Sequence, residues 1–277
     1  MSQTLEESAK RAQQGDQRAL GELVAQIQGK IYGLALRTLW HPEDARDATQ
    51  EILLRVVTHL ATFRGESRFS SWVYRIAANH LLRFRESRVE TQGFTFATFG
   101  KDLEEGLADS SANPEDSILF QEIRVGCTLG MLLCLDRPHR LAYILGDILE
   151  IAGNEAAGIL AVKLVTFRKR LERARAQIVE FMQARCGLAN PKNPCRYHRR
   201  VERAITLKRV DRQNLLFGRD QENAGMFPEV LVKIRKLEKT QRAVALFRVH
   251  PEYAVPNFTI AVRNLLSSGR VVHTDTS

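Results

Sequence analysis

Apolar residues recur three and four positions apart along most of this chain, the periodicity of helices with one buried face. Thr4 and Glu7 have capping-box spacing and open a first helix. Gly15 breaks it, and Asp16 can cap a second, whose Leu20, Leu23, Val24, Ile27, Ile31 and Leu34 form one stripe. His41-Pro42 ends that helix. A third is predicted from about Glu43 to Leu60, with Ala45, Ile52, Val56 and Leu60 inward. A fourth, capped by Ser70 or Ser71, buries Val73, Ile76, Ala77, Leu81 and Phe84. Next comes the turn-rich stretch GKDLEEGLADSSANPED, which reads as a flexible linker. Leu141, Ile144, Leu145 and Ile148 make another stripe. Asn154 can cap a short helix holding Ala156, Ala157, Ile159 and Leu160. A break at Ala161-Val162 precedes a helix with Leu164, Phe167, Leu171 and Ala174 inward. That spacing is a helix-turn-helix. The expected fold is all-α. A helical unit over 1–90 and a helix-turn-helix unit over 117–185 are joined by an acidic linker over 91–116. A mostly helical C-terminal extension follows over 186–277, with helices at Glu229 to Arg242 and Thr259 to Leu266.

Composition narrows the partners. The chain has 277 residues, room for about two domains, and a formal charge of +9, which favours polyanions such as nucleic acid. The charge is unevenly placed: net +2 over 1–90, −5 over 91–134, +3 over 135–185 and +9 over 186–277. The N-terminus lacks the apolar core of a signal peptide, and no apolar run is long enough to span a bilayer. Four cysteines without a secretion signal read as reduced thiols, so a cytoplasmic protein without membrane insertion is expected. The sequence holds no convincing nucleophile–base set, phosphate-cradling glycine loop or H-E-x-x-H, so neither catalysis nor a cofactor or resident metal is expected.

Three clusters carry the candidate chemistry. The outer face of the third helix presents Asp44, Asp47, Gln50 and Glu51, neighbours at helical spacing that form either a docking face or a merely solvated one. Next comes the loop Phe63-Arg64-Gly65-Glu66-Ser67-Arg68-Phe69, then the polar stripe Arg75, Asn79 and Arg83. Aromatics beside guanidinium groups suit unstacked bases, with flat faces for stacking and cations for phosphates. The competing reading makes Phe63, Phe69 and Trp72 core; for Trp72, at the start of the buried face, that reading is preferred. The third cluster is Lys163, Thr166, Lys169, Arg170 and Arg173 on the last helix of the helix-turn-helix, a basic face suited to a major groove.

Asp47-Ala48-Thr49-Gln50-Glu51 resembles the D-x-x-Q-E signature of extracytoplasmic-function (ECF) sigma factors. Phe63-Arg64-Gly65 is similar to their F-R-G, and the segment from Trp72 to Asn79 to their W-L-y-R-I-A-r-N. The resemblance implies that Asp47, Gln50 and Glu51 dock on bacterial core RNA polymerase. It implies that Phe63, Arg64, Arg68 and Phe69, with Arg75, Asn79 and Arg83, engage the minus-ten element of promoter DNA. Lys163, Thr166, Lys169, Arg170 and Arg173 would then read the minus-thirty-five element, and an anti-sigma factor joins the expected partners. The chain departs from the pattern at Arg46 (an acid in the family), Ala78 (arginine), Ala161 (glycine) and Lys163 (serine). Cys186 to Arg196 is similar to a C-G-L-x-N-P-x-N-P-C-R-C segment of a subgroup with a C-terminal extension, but Tyr197 replaces its last cysteine.

Two rival readings stand beside this one. The helix-turn-helix alone could serve a stand-alone DNA-binding regulator. Alternatively, Cys186, Cys195 and His198 could centre a metal or redox sensor, one ligand short of a closed zinc site. Neither rival needs the D-x-x-Q-E and F-R-G pair.

Overall fold

The computed structural model describes residues 4–86, 88–91, 93–105, 117–217, 221–250 and 253–267. The first unit contains α1 (Leu5–Gln13), α2 (Gln17–Leu39), α3 (Pro42–Thr58) and α4 (Phe69–Arg83). Thr4 and Glu7 form the reciprocal capping box, and the Asp16 carboxylate accepts from the Arg18 and Ala19 amides. His41 caps α3, whose first residue is Pro42, a position that has no intrahelical use for an N–H. Leu23, Val24, Ile27, Ile31, Leu34, Ala45, Ile52, Val56 and Leu60 are buried together. The expected serine cap of α4 is absent. The helix begins at Phe69, and Glu6 of α1 accepts from the Phe69 amide at 3.2 Å. A carboxylate from another helix thus serves where a local hydroxyl was expected.

The linker is not uniformly flexible. After the short α5 (Arg88–Thr91), residues Phe96–Glu104 form α6, with Phe99 and Leu103 buried. The turn-rich composition of 91–116 hides an apolar stripe at helical spacing, and Phe99 stacks on Phe181 with centroids 5.4 Å apart. Residues 106–116 of the expected linker lie outside the described residues.

The second unit comprises α7 (Ser117–Leu133), α8 (Arg137–Tyr143) extended by a π turn (Ile144–Ile148), α9 (Gly153–Ile159) and α10 (Leu164–Arg185). Asp136, not foreseen, caps α8. Asn154 does not cap α9. That helix starts two residues earlier, with Ala152 as cap, because Glu150 at φ 55° and the Ile151 amide on the Leu145 carbonyl (2.9 Å) set the turn. Ala161 occupies the left-handed region at φ 51°, where the family has glycine.

The extension adds α11 (Val201–Thr206), α12 (Gln221–Arg235), α13 (Lys239–Arg248) and α14 (Phe258–Ser267). The helix expected from Glu229 to Arg242 is two helices. Arg242 folds back to donate to the carbonyls of Arg235 (2.7 Å) and Leu237 (3.0 Å). The extension returns across the molecule: Phe258 packs against Tyr32, and its amide donates to Gln28 of α2 at 3.0 Å.

One buried cluster joins these parts. Arg140, 2 % exposed, uses all five donors of its guanidinium. They reach the carbonyls of Leu132 (2.9 Å), Leu133 (3.1 Å), Leu135 (2.8 Å) and Thr38, and the Glu90 carboxylate (2.8 Å). Arg137 holds the other oxygen of Glu90 at 2.9 Å. It also donates to the carbonyls of Leu81 (3.1 Å), Phe84 and Arg85 (2.9 Å) at the end of α4. Those carbonyls have no intrahelical partner, and a cation there also meets the negative end of the helix dipole. Burial pushes the Arg140 pKa down, and the Glu90 charge opposes that shift.

Removing one member of such a buried pair strands the other. Arg140→Ala is therefore expected to cost about 3–5 kcal/mol of stability. Urea unfolding checks this, and a loss below about 1 kcal/mol would show that the cluster is not a linchpin.

Candidate nucleic-acid interface

The acidic face of α3 lies beside the end of α4. Asp47 and Glu51 are exposed and Gln50 is half-buried. Arg85 pairs with Asp44 at 3.0 Å and approaches Asp47 at 3.8 Å, while His80 lies 3.7 Å from Glu51. Burial lowers the His80 pKa, against the raising effect of Glu51. The face is thus only partly neutralised from within.

The loop between α3 and α4 is anchored from below. Gln13 of α1 donates to the carbonyls of Leu60 (2.9 Å) and Phe63 (2.8 Å). Gly65 sits at φ 75°, a conformation that suits glycine, and leaves Arg64 and Arg68 exposed. Phe63, Phe69 and Trp72 form an aromatic trio with centroids 5.1–5.5 Å apart. Phe69 is fully buried, so its faces are closed to any base; its expected stacking role is corrected to a core role. It is the first residue of α4 and points into the trio. Phe63 and Trp72 are half-buried.

Arg75, Asn79 and Arg83 emerge as an exposed stripe on α4. The upper end of that stripe is already engaged. The Arg75 guanidinium donates to the Gly158 carbonyl of α9 at 3.2 Å, and the Ser71 hydroxyl donates to the Glu155 carboxylate. A cleft of about 320 Å³ separates the two elements between Arg68, Trp72 and Ile159. No sequence signal announced this contact, because its partners lie more than eighty residues apart.

On α10, Lys163, Lys169 and Arg173 are exposed, and Thr166 and Arg170 are half-buried. Phe167 and Ala174 lie on the opposite, buried side. Asp147 anchors the helix by a bidentate pair with Arg175, at 3.0 and 2.6 Å. The face also carries Val165, 63 % exposed, an apolar residue that helical spacing does not single out.

The cysteines of the extension are structural neighbours. Cys186 and Cys195 form a parallel β-bridge, both are buried, and burial raises both thiol pKa values, that of Cys195 to about 11. Arg196 and the amides of Asn190 and Asn193 close the loop onto its own carbonyls. Among the described residues, no group of three or more His, Cys, Asp or Glu is placed to share a metal ion. No described helix is long and apolar enough to cross a membrane.

Comparison with known proteins identifies the family. Residues 23–90 match the family described as Sigma-70 region 2. The ECF RNA polymerase sigma-E factor of Escherichia coli (strain K12) is 31% identical over 171 residues, 61% of this chain and 88% of that protein. The RNA polymerase sigma-H factor of Pseudomonas aeruginosa is 31% identical over 181 residues, 62% of this chain and 91% of that one. Among solved structures, CnrH in complex with the cytosolic domain of CnrY aligns over 64% of this chain and 96% of its own, at 23% identity and a TM-score of 0.43. With 31% identity over 88–91% of the length of these relatives, this chain belongs to the ECF sigma factors of the sigma-70 family and acts in transcription initiation.

Proposed function

We propose that the chain docks on bacterial core RNA polymerase through Asp47, Gln50 and Glu51, and contacts promoter DNA through two separate surfaces. The first comprises Phe63, Arg64, Arg68, Arg75, Asn79 and Arg83; the second comprises Lys163, Thr166, Lys169, Arg170 and Arg173. The observation that carries the reading is the adjacency of an exposed acidic face on α3 and an exposed basic stripe on α4, joined by an aromatic loop anchored from α1. In this reading the protein lends specificity to an enzyme and performs no chemistry itself. Its place of action is the cytoplasm, where that polymerase works. An anti-sigma partner would compete for the same faces.

Opening a promoter costs about 1.4 kcal/mol per base-pair step. Stacking an extruded base on an aromatic ring is worth about 1–3 kcal/mol. With Phe69 closed, the half-buried Phe63 and Trp72 are the rings left to supply that term, Phe63 at the edge of the loop. One captured base offsets roughly the first step, and contacts made with the polymerase supply the rest.

The docking claim is tested by Asp47→Arg with Glu51→Arg. Both side chains are exposed, so stability should move by less than about 0.5 kcal/mol. Co-elution with core polymerase should be lost; retained co-elution by the folded double variant would refute the docking face.

The two phenylalanines should separate cleanly. Phe69→Ala is expected to destabilise by about 3–5 kcal/mol. Phe63→Ala should leave the fold nearly intact and slow promoter opening about tenfold, read by permanganate reactivity of unpaired thymines. Equal effects of the two on stability would show that the trio is one packing unit without a nucleic-acid face.

The α4–α9 contact makes a third prediction. Ser71 and Arg75 are engaged by α9, so DNA bound at that end of α4 competes with α9. Losing a hydrogen bond to a charged group is worth about 1.5–3 kcal/mol. Glu155→Ala should accordingly raise the affinity of the free chain for single-stranded promoter DNA about tenfold. An unchanged dissociation constant would mean that the contact does not compete with DNA.

A further inference from the structure

Val165 is the second residue of α10 and is 63 % exposed. The other exposed large hydrophobic side chains among the described residues, Leu207, Val232, Leu237, Val255 and Ile260, all belong to the C-terminal extension. Among the described residues, Val165 therefore stands alone in the part of the chain before the extension. It does nothing for the fold: its neighbours Leu164 and Phe167 pack inward beneath Gly153, and Val165 points away from them. Nor is it a good choice for helix formation, since a β-branched residue is slightly worse there than alanine or lysine. Its surroundings are Arg168, Lys169, Glu172 and Arg173, all exposed and all polar. Lys169 and Arg173 follow it at one and two turns, on the same line of the helix.

The placement has a chemical meaning if α10 lies in a major groove. The N-terminal residues of a recognition helix are those that reach base edges. Most of what the bases show in that groove is hydrogen-bond donors and acceptors; the apolar feature is the C5-methyl of thymine. An aliphatic side chain at this position can bury against that methyl and cannot satisfy the polar edges of the other bases. We infer that Val165 is a specificity-determining residue that reads a thymine methyl in the upstream duplex. The inference rests on the proposed reading of α10 as the duplex-contacting helix. It adds an apolar element to a face otherwise made of phosphate- and guanine-seeking groups. Lys169 and Arg173 bring the helix to the backbone and to guanine, and Val165 sets which flanking base is accepted.

The size of the effect follows from the group buried. One methyl-sized group removed from water is worth about 0.8 kcal/mol, close to a fourfold change in dissociation constant. The test uses the full chain and a pool of randomised duplexes, from which bound sequences are selected. Each thymine of the selected duplex is then replaced in turn by deoxyuridine, which lacks only the methyl. Wild type should bind about fourfold more weakly at one position and be indifferent elsewhere. Val165→Ala should bind thymine and deoxyuridine duplexes equally, while retaining wild-type salt dependence, because no phosphate contact is removed. Val165→Thr, which keeps one methyl, should retain part of the discrimination. Indifference of wild type to every thymine replacement, or full discrimination retained by Val165→Ala, overturns the assignment. Weakened co-elution of Val165→Ala with core polymerase, with thymine discrimination intact, assigns the side chain to a protein surface instead and equally overturns it. Failure to select any duplex would refute the duplex-contacting role of α10 itself, an outcome distinct from the others.

Discussion

Glu90 sits between two arginines, and the arrangement of both halves of the molecule depends on it. Its two carboxylate oxygens are held by Arg137 and Arg140 at 2.9 and 2.8 Å. Through those arginines it reaches the ends of α2, α4 and α7. Each of those ends presents carbonyls with no partner inside its own helix. The cluster satisfies them together, in a site too buried for water to do so. Such a site is intolerant of partial formation: two cations and one anion with many carbonyls are stable as a set, and any single absence leaves a charge or a dipole buried without compensation.

The same logic of matched charge explains how the acidic stretch meets the basic extension. Asp102 of α6 pairs with Arg200 at 3.1 Å and Arg209 at 2.6 Å, and Glu105 pairs with Arg203 at 2.8 Å. Glu104 pairs with Arg185 at the end of α10. The segment charges of −5 and +9, which along the sequence look like a free linker and a free basic tail, partly cancel in space. The partly exposed pairs contribute modestly. In the Arg200–Asp102 pair Arg200 is buried and Asp102 half-buried, and Arg200 also donates to the Glu105 carbonyl at 2.6 Å, which fixes α6 against the extension.

What could be read from the sequence was what depends on local spacing. The stripe in α2, the caps at Thr4 and Asp16, the exposed faces of α3 and α4 and the helix-turn-helix all follow from residues a few positions apart. What could not be read depends on distant partners. Glu6 capping α4 links residues 63 apart, and Arg140 reaches Thr38 across 102. A cap at Ser70 or Ser71 would leave Phe69 in the loop, but α4 starts two or three residues earlier than that, and inside its first turn Phe69 faces the core. The helix α6 was hidden because glycine, serine and acids around it dominated the composition of its neighbourhood.

The contact between α9 and α4 has a consequence of scale. A compact chain of 277 residues has a radius of gyration of about 19 Å and is about 50 Å across. Promoter elements centred ten and thirty-five base pairs upstream are about 85 Å apart along straight duplex. On the proposed assignment, α4 belongs at one of these and α10 at the other, yet here α9 bridges directly from one unit to the other. A ruler shorter than the distance it must measure has to unfold along a joint. The joint lies where Ser71 meets Glu155 and Arg137 meets the end of α4. On that assignment promoter engagement and the closed body would be mutually exclusive shapes of one chain, and the strength of the contacts at the joint would set how much of the protein is available for DNA at any moment.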